Sequence, residues 1–126
     1  MKLIRVLAVA LLVSCGGHSA NDVGPSSGLP RTATVGSLTP AQAGLLCDWT
    51  NAKQGGYGRV VNCPDGSQQT SDPDAATCVQ SAGDFATYCP TVLVADVEDC
   101  ANATGTDLCA FTTAAACANL RACFGV

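Results

Sequence analysis

A chain of 126 residues has room for one small domain, and ten Asp and Glu against six Lys and Arg give it a formal net charge of −4. That balance excludes a polyanion binder, which needs clustered cations to neutralise phosphates, so no nucleic acid partner is expected. Large side chains are scarce. Trp49, Tyr57, Phe85, Tyr88, Phe111 and Phe124 are the aromatics, so the core is thin and covalent staples are expected at this size.

The chain opens with Met1-Lys2-Leu3-Ile4-Arg5, a positive segment, followed by an unbroken apolar run from Val6 to Val13 and then a small residue, Ser14. This order is that of a secretory signal peptide over residues 1–14, and the run is far shorter than the roughly 20 residues that span a bilayer. Leu12-Val13-Ser14-Cys15 resembles the lipobox of bacterial lipoproteins. The resemblance implies cleavage before Cys15, a diacylglycerol on its sulfur and an N-acyl chain such as palmitate on the new amino terminus. It also implies a membrane partner reached through that anchor. Gly16, where this family uses Asp for inner-membrane retention, implies the outer membrane, with the domain on its periplasmic or surface-exposed face. Two or more acyl chains hold stably where one holds only marginally. Cysteine parity agrees with a modified Cys15: nine is odd, and removing one leaves eight that can pair.

Residues 15–37 read as the lipidated cysteine and a flexible linker, with no sustained apolar periodicity and the segments Gly16-Gly17-His18-Ser19 and Pro25-Ser26-Ser27-Gly28. A coil of that length has an r.m.s. reach of roughly 25 Å. His18 reads as a solvated residue of this tether. Without the leader, four cations face ten acids, a net charge of −6.

A cysteine-rich domain is expected over residues 38–126. Thr39-Pro40-Ala41-Gln42 carries a capping box with Pro at the first helical position, and Leu45, Leu46, Trp49 and Ala52 form one apolar face. Gly55-Gly56 stops that helix. Tyr57–Asn62 reads as a strand, Pro64-Asp65-Gly66 as a tight turn, and Gln68–Ser71 as the return strand of a hairpin. Asp72-Pro73-Asp74 starts a second helix, weakened at Gly83 and Asp84 and broken at Cys89-Pro90. A third runs through Val97, Cys100 and Ala101 to Gly105, with Asp96, Glu98 and Asp99 early in it, where carboxylates suit the helix dipole. Thr106-Asp107 caps a short turn through Cys109 and Phe111, and Thr113 caps a last helix over Ala114–Cys123. The expected fold class is therefore small, disulfide-rich and mainly α. It has about four short helices, one β-hairpin after the first helix, and four disulfides.

Eight cysteines lie in the domain: Cys47, Cys63, Cys78, Cys89, Cys100, Cys109, Cys117 and Cys123. None forms a C-x-x-C pair and the domain has no histidine, so disulfides are expected and no metal. Asp65, Asp72 and Asp74 lack the spacing of an EF-hand loop. One pairing is expected, Cys63 with Cys78, joining hairpin to second helix.

The domain beyond the linker resembles the cysteine-rich lipoproteins of some Gram-negative bacteria. The resemblance rests on Leu46-Cys47-Asp48-Trp49, Gly55-Gly56-Tyr57-Gly58 and Leu120-Arg121-Ala122-Cys123-Phe124. It implies a lipoprotein and carries over no activity. Serine–histidine and cysteine–histidine mechanisms lack their base, and no phosphate loop occurs, so no catalytic residue, cofactor or enzyme activity is expected. The expected role is a lipid-anchored envelope protein with a structural or interaction domain and a protein partner in the envelope or outside it. The alternative is a secreted-type binder or protease inhibitor that presents the Gly55–Arg59 loop, with Arg59 protruding. Trp49, Tyr57 and Arg59 are the candidate binding residues.

Overall fold

Thr39 and Gln42 cap the first helix reciprocally. Thr39 Oγ1 accepts from the Gln42 N–H (3.3 Å), and Gln42 Oε1 accepts from the Thr39 N–H (3.0 Å). With Pro40 at its first position this helix, α1, spans Pro40–Lys53. The chain leaves it through Gly55, whose φ of 90° suits a residue without a Cβ. The structure, a computed structural model, describes residues 23–126. The segment read as a signal peptide (residues 1–14), Cys15 and His18 lie outside them.

The hairpin follows α1 as expected, with shorter strands. Strands β1 (Val60–Asn62) and β2 (Gln68–Thr70) pair antiparallel with Val61 opposite Gln69. Asp65 Oδ1 holds the turn by accepting from the Ser67 N–H and Oγ (2.9 and 2.7 Å). Asp74 then caps α2 (Ala75–Tyr88), accepting from the Thr77 N–H at 2.8 Å, and that bond holds its carboxyl below the usual range. Helix α2 runs unbroken through Gly83 and Asp84 and ends before Cys89-Pro90. Helix α3 spans Val94–Thr104, with Asp96 accepting from the Leu93 N–H at its start.

The C-terminal segment departs from expectation. A 3-10 turn over Leu108–Thr112 is capped by Asp107, as read from the sequence. Thr113, however, caps nothing: its hydroxyl turns back to the Ala110 carbonyl. Ala114 stays extended, its N–H donated to Ala110 and its carbonyl accepting from the Arg121 guanidinium. A second 3-10 turn, Ala115–Cys117, therefore intervenes before α4 (Ala118–Phe124).

Four disulfides close the fold: Cys47–Cys78, Cys63–Cys109, Cys89–Cys123 and Cys100–Cys117, with Cα separations of 5.9, 5.6, 5.5 and 4.5 Å. The expected Cys63–Cys78 bridge is wrong. Cys78 faces α1, against which α2 packs, whereas Cys63 sits at the hairpin turn, which packs on the Leu108–Thr112 segment carrying Cys109. Loop closures of 17 to 46 residues are each worth about 3–4 kcal/mol in the chain-entropy account. They surround a core of Val35, Ala43, Leu46, Val92, Val94 and Leu120.

Residues 24–37, expected to be flexible linker, are instead packed on this core through Leu29 and Val35. Leu29 and Val35 are buried, and the backbone pairs with the lead-in to α3: Val35 N–H to Val92 O, Val94 N–H to Ala33 O, Ala95 N–H to Arg31 O. The strap is held by Glu98, which is 0 % exposed. Its Oε1 accepts from Ser27 N–H (2.7 Å), Ser27 Oγ (2.7 Å) and Ser26 Oγ (3.1 Å), while Arg31 Nη1 reaches Oε2 at 2.9 Å. The serines that made the stretch look like linker are the donors a buried carboxylate requires. Burial opposes the Glu98 charge, but those hydrogen bonds and the Arg31 charge outweigh it and hold the carboxyl below its ordinary range.

The strap ends in a 3-10 turn, Val35–Ser37, that crosses α2 so closely that a Cβ on Gly36 would collide with the backbone of Ala86. Gly36→Ala is expected to cost about 1–3 kcal/mol in urea unfolding. Gly83→Ala, on a helical site with nothing within 4 Å, should instead add about 0.4–1 kcal/mol. A depressed folded-state pKa at Glu98 means stability fully present above the unfolded carboxylate's value of about 4.3 and lost as pH falls through the lower folded value. Glu98→Gln should therefore destabilise by about 1.5–3 kcal/mol at neutral pH and flatten the acid limb of a stability–pH profile.

Candidate functional site

The three glycines between α1 and β1 let the backbone fold Arg59 inwards. At Gly55 a Cβ would press on the Arg59 guanidinium at 3.0 Å. Arg59 Nη1 donates to the carbonyls of Gln54 and Thr106 (2.9 Å to Thr106), at the C-terminal ends of α1 and α3, where a cation suits the helix dipoles. Its backbone N–H donates to Ser71 Oγ at 2.9 Å. The Gly55–Arg59 loop therefore does not offer Arg59 as a protruding side chain; the residue clasps two helix ends together.

Tyr57 donates its hydroxyl to Asp48 Oδ1 at 2.8 Å. Burial, that hydrogen bond and the charges of Asp48, Asp72 and Asp74 push the phenol well above its ordinary pKa, so it stays protonated. Trp49 is 8 % exposed and donates Nε1–H to the Gly24 carbonyl at 3.0 Å, with Lys53 Nζ 5.6 Å from its ring centroid. The indole pins the start of the strap instead of forming an open platform. Trp49, Tyr57 and Arg59 are each engaged within the fold, and no shared open surface collects them.

The acidic residues of α3 are similarly engaged. Asp96 accepts from Leu93 N–H and from Asn119 Nδ2 (2.7 Å), and Asp99 pairs with Arg31 at 2.7 Å. Among the described residues no group of three or more His, Cys, Asp or Glu is arranged to hold a metal ion, and no helix is long and apolar enough to cross a membrane.

What the structure does contain is a half-open groove of about 410 Å³ between α1, α2 and α3. Leu46, Ala82, Val97 and Leu108 line its middle. At one end lie Val35, Phe85, Leu120 and Phe124, where the Phe85 and Phe124 rings meet edge to face at 5.8 Å. Gln54, Gln69, Asp72 and Thr104 line the other end, beside the hairpin. The Thr50 hydroxyl in this wall is shut off from solvent and has no hydrogen-bond partner among the described residues. A second hollow, about 460 Å³, is lined by Tyr88, Pro90, Thr91 and Asn119, and the Asp96–Asn119 hydrogen bond belongs to its wall. Sequence reading missed the main groove because its wall is drawn from almost every element. The volume falls within the range of small-molecule sites, about 300–1,000 Å³.

Searches against protein-family models, curated proteins and solved structures find no match to this chain.

Proposed function

We propose that the chain is a lipid-anchored cell-envelope protein, held at the outer membrane by diacylglycerol and N-acyl chains on Cys15. On this reading it displays a disulfide-stapled interaction domain and carries out no reaction of its own. The observation that carries the proposal is parity. All eight domain cysteines pair with one another, so Cys15 is the one cysteine left without a partner in the disulfide set. Its position directly after a charged segment and a short apolar run supplies the rest. The inhibitor alternative loses its motivating feature, because Arg59 is directed at the carbonyls of Gln54 and Thr106.

The test is the intact mass of the membrane-extracted protein before and after reduction. Acyl mass on an amino-terminal Cys15 and a gain of eight hydrogens on reduction are expected. An unacylated terminus would overturn the anchor, and a smaller gain would overturn the pairing. Exposure to trypsin should leave the native chain uncut after Arg59 and the protease uninhibited, whereas the reduced chain should be cut there.

A further inference from the structure

The groove has two chemically distinct ends, and the hydrogen bonds around it fix which residues lie at which. Arg59 ties the end of α1 at Gln54 to Thr106, just past α3, and the Asp72 carbonyl accepts from the Gly58 N–H. Gln54, Thr104 and Asp72 therefore gather at the hairpin end. The Phe85–Phe124 pair and the crossing of Gly36 over Ala86 gather Val35, Phe85 and Phe124 at the other. From Leu46 at the middle to Gln54 at the hairpin end α1 rises about 12 Å, so the two ends lie farther apart than that.

Charge narrows the occupant further. Among the described residues Asp72 is the one ionisable side chain of the groove wall, and neither Lys nor Arg lines it. Asp72 Oδ2 accepts from Asn51 Nδ2 at 3.3 Å, and no cation pairs with the carboxylate among the described residues. An anionic head here would meet the Asp72 charge in a partly dry groove, while the Arg59 guanidinium at this end is engaged by the Gln54 and Thr106 carbonyls. The solvent-excluded Thr50 hydroxyl adds a polar group that no described residue satisfies.

We propose that this groove binds a small non-anionic amphiphile. Its medium-length tail runs towards Phe85 and Phe124, and a neutral or cationic hydrogen-bonding head sits at Gln54 and Asp72. This rests on the reading of the domain as a binding module and names the class of ligand it takes. The tail replaces water along Leu46, Ala82 and Val97, and the head donates to Asp72.

The test is an amide-resolved NMR titration of the full mature chain carrying Cys15→Ser, so that no acyl chain of its own competes. The probes are decylamine, decan-1-ol and decanoate, each below its aggregation concentration. Decylamine and decan-1-ol should saturate shifts at Thr50, Ala82 and Thr104 in the micromolar range, with decanoate at least about tenfold weaker. Ser81→Trp, at an exposed position on the groove rim, should weaken binding by about tenfold or more without loss of spectral dispersion. Asp72→Asn, which can still accept from Asn51, should bring decylamine and decanoate close to equal. Absence of saturable shifts with all probes, equal binding of decanoate and decylamine by the unsubstituted groove, or indifference to Ser81→Trp would overturn the proposal. Its failure is separable from that of the anchor, because the mass measurement reads Cys15 and not the groove.

Discussion

A buried carboxylate that is fully hydrogen-bonded organises the amino-terminal half of this domain. Glu98 lies on the inner face of α3 with Val94 and Ala101, one helical turn from each, where an unpaired charge would be intolerable. Its four donors come from a strap some seventy residues earlier in the chain. Once those bonds form, Leu29 and Val35 are carried onto the core, and the strap backbone pairs with the lead-in to α3. A segment with two large apolar residues thus acquires a fixed position that its composition alone would not supply.

The disulfides solve a different problem. Helix α1 buries only Ala43, Leu46, Cys47 and Trp49 among its apolar residues, and α2 has Ala82 as its one fully buried position. Such small side chains bring little burial energy against the entropy of ordering the chain. The cross-links lessen that entropy in the unfolded state, and their distribution is even: hairpin to C-terminal turn, α1 to α2, α3 to the Ala115–Cys117 turn, and the end of α2 to α4. Each helix, the hairpin and both C-terminal 3-10 turns are held at least once, whereas the strap with its Val35–Ser37 turn carries no cysteine and is held by hydrogen bonds and packing.

What could be read from the sequence was local. The Thr39–Gln42 box, the turn at Asp65-Gly66 and the helix ends at Gly55 and Gly105 each depend on residues within a few positions of one another, and the structure has them all; the second helix starts where Asp72-Pro73-Asp74 predicts, but capped by Asp74 with Pro73 outside. Non-local features were not legible. Glu98 looked like a carboxylate placed for the helix dipole, although its spacing from Val94 and Ala101 puts it on the apolar face, and that was the available clue. Gly36 gave no sign of a helix crossing. Cys63 and Cys78 are neighbours in sequence, but strand direction carries one away from the other. The groove needed the relative placement of three helices, which no pattern along the chain encodes. Of the candidate site residues, Trp49 reads as part of the apolar face of the first helix and Arg59 as the protruding end of a glycine-rich loop, and the fold uses both as internal fasteners.

Docking of the strap also sets a distance. Packed structure begins by Gly24, whose carbonyl receives the Trp49 indole, and the neighbouring Pro25 carbonyl receives Asn102 from α3. If Cys15 is the point of attachment, as proposed, the eight residue steps to Val23 can reach at most about 28 Å. A domain of this size has a radius of gyration of about 13 Å, so its stand-off from the bilayer would then be about its own width or less. Under that proposal the side where Trp49 and Asn102 meet the strap would face the anchor. The Glu98 clasp is thus also a ruler: by taking up Ser26, Ser27 and Arg31 it fixes how little chain is left between the packed domain and any point of attachment upstream.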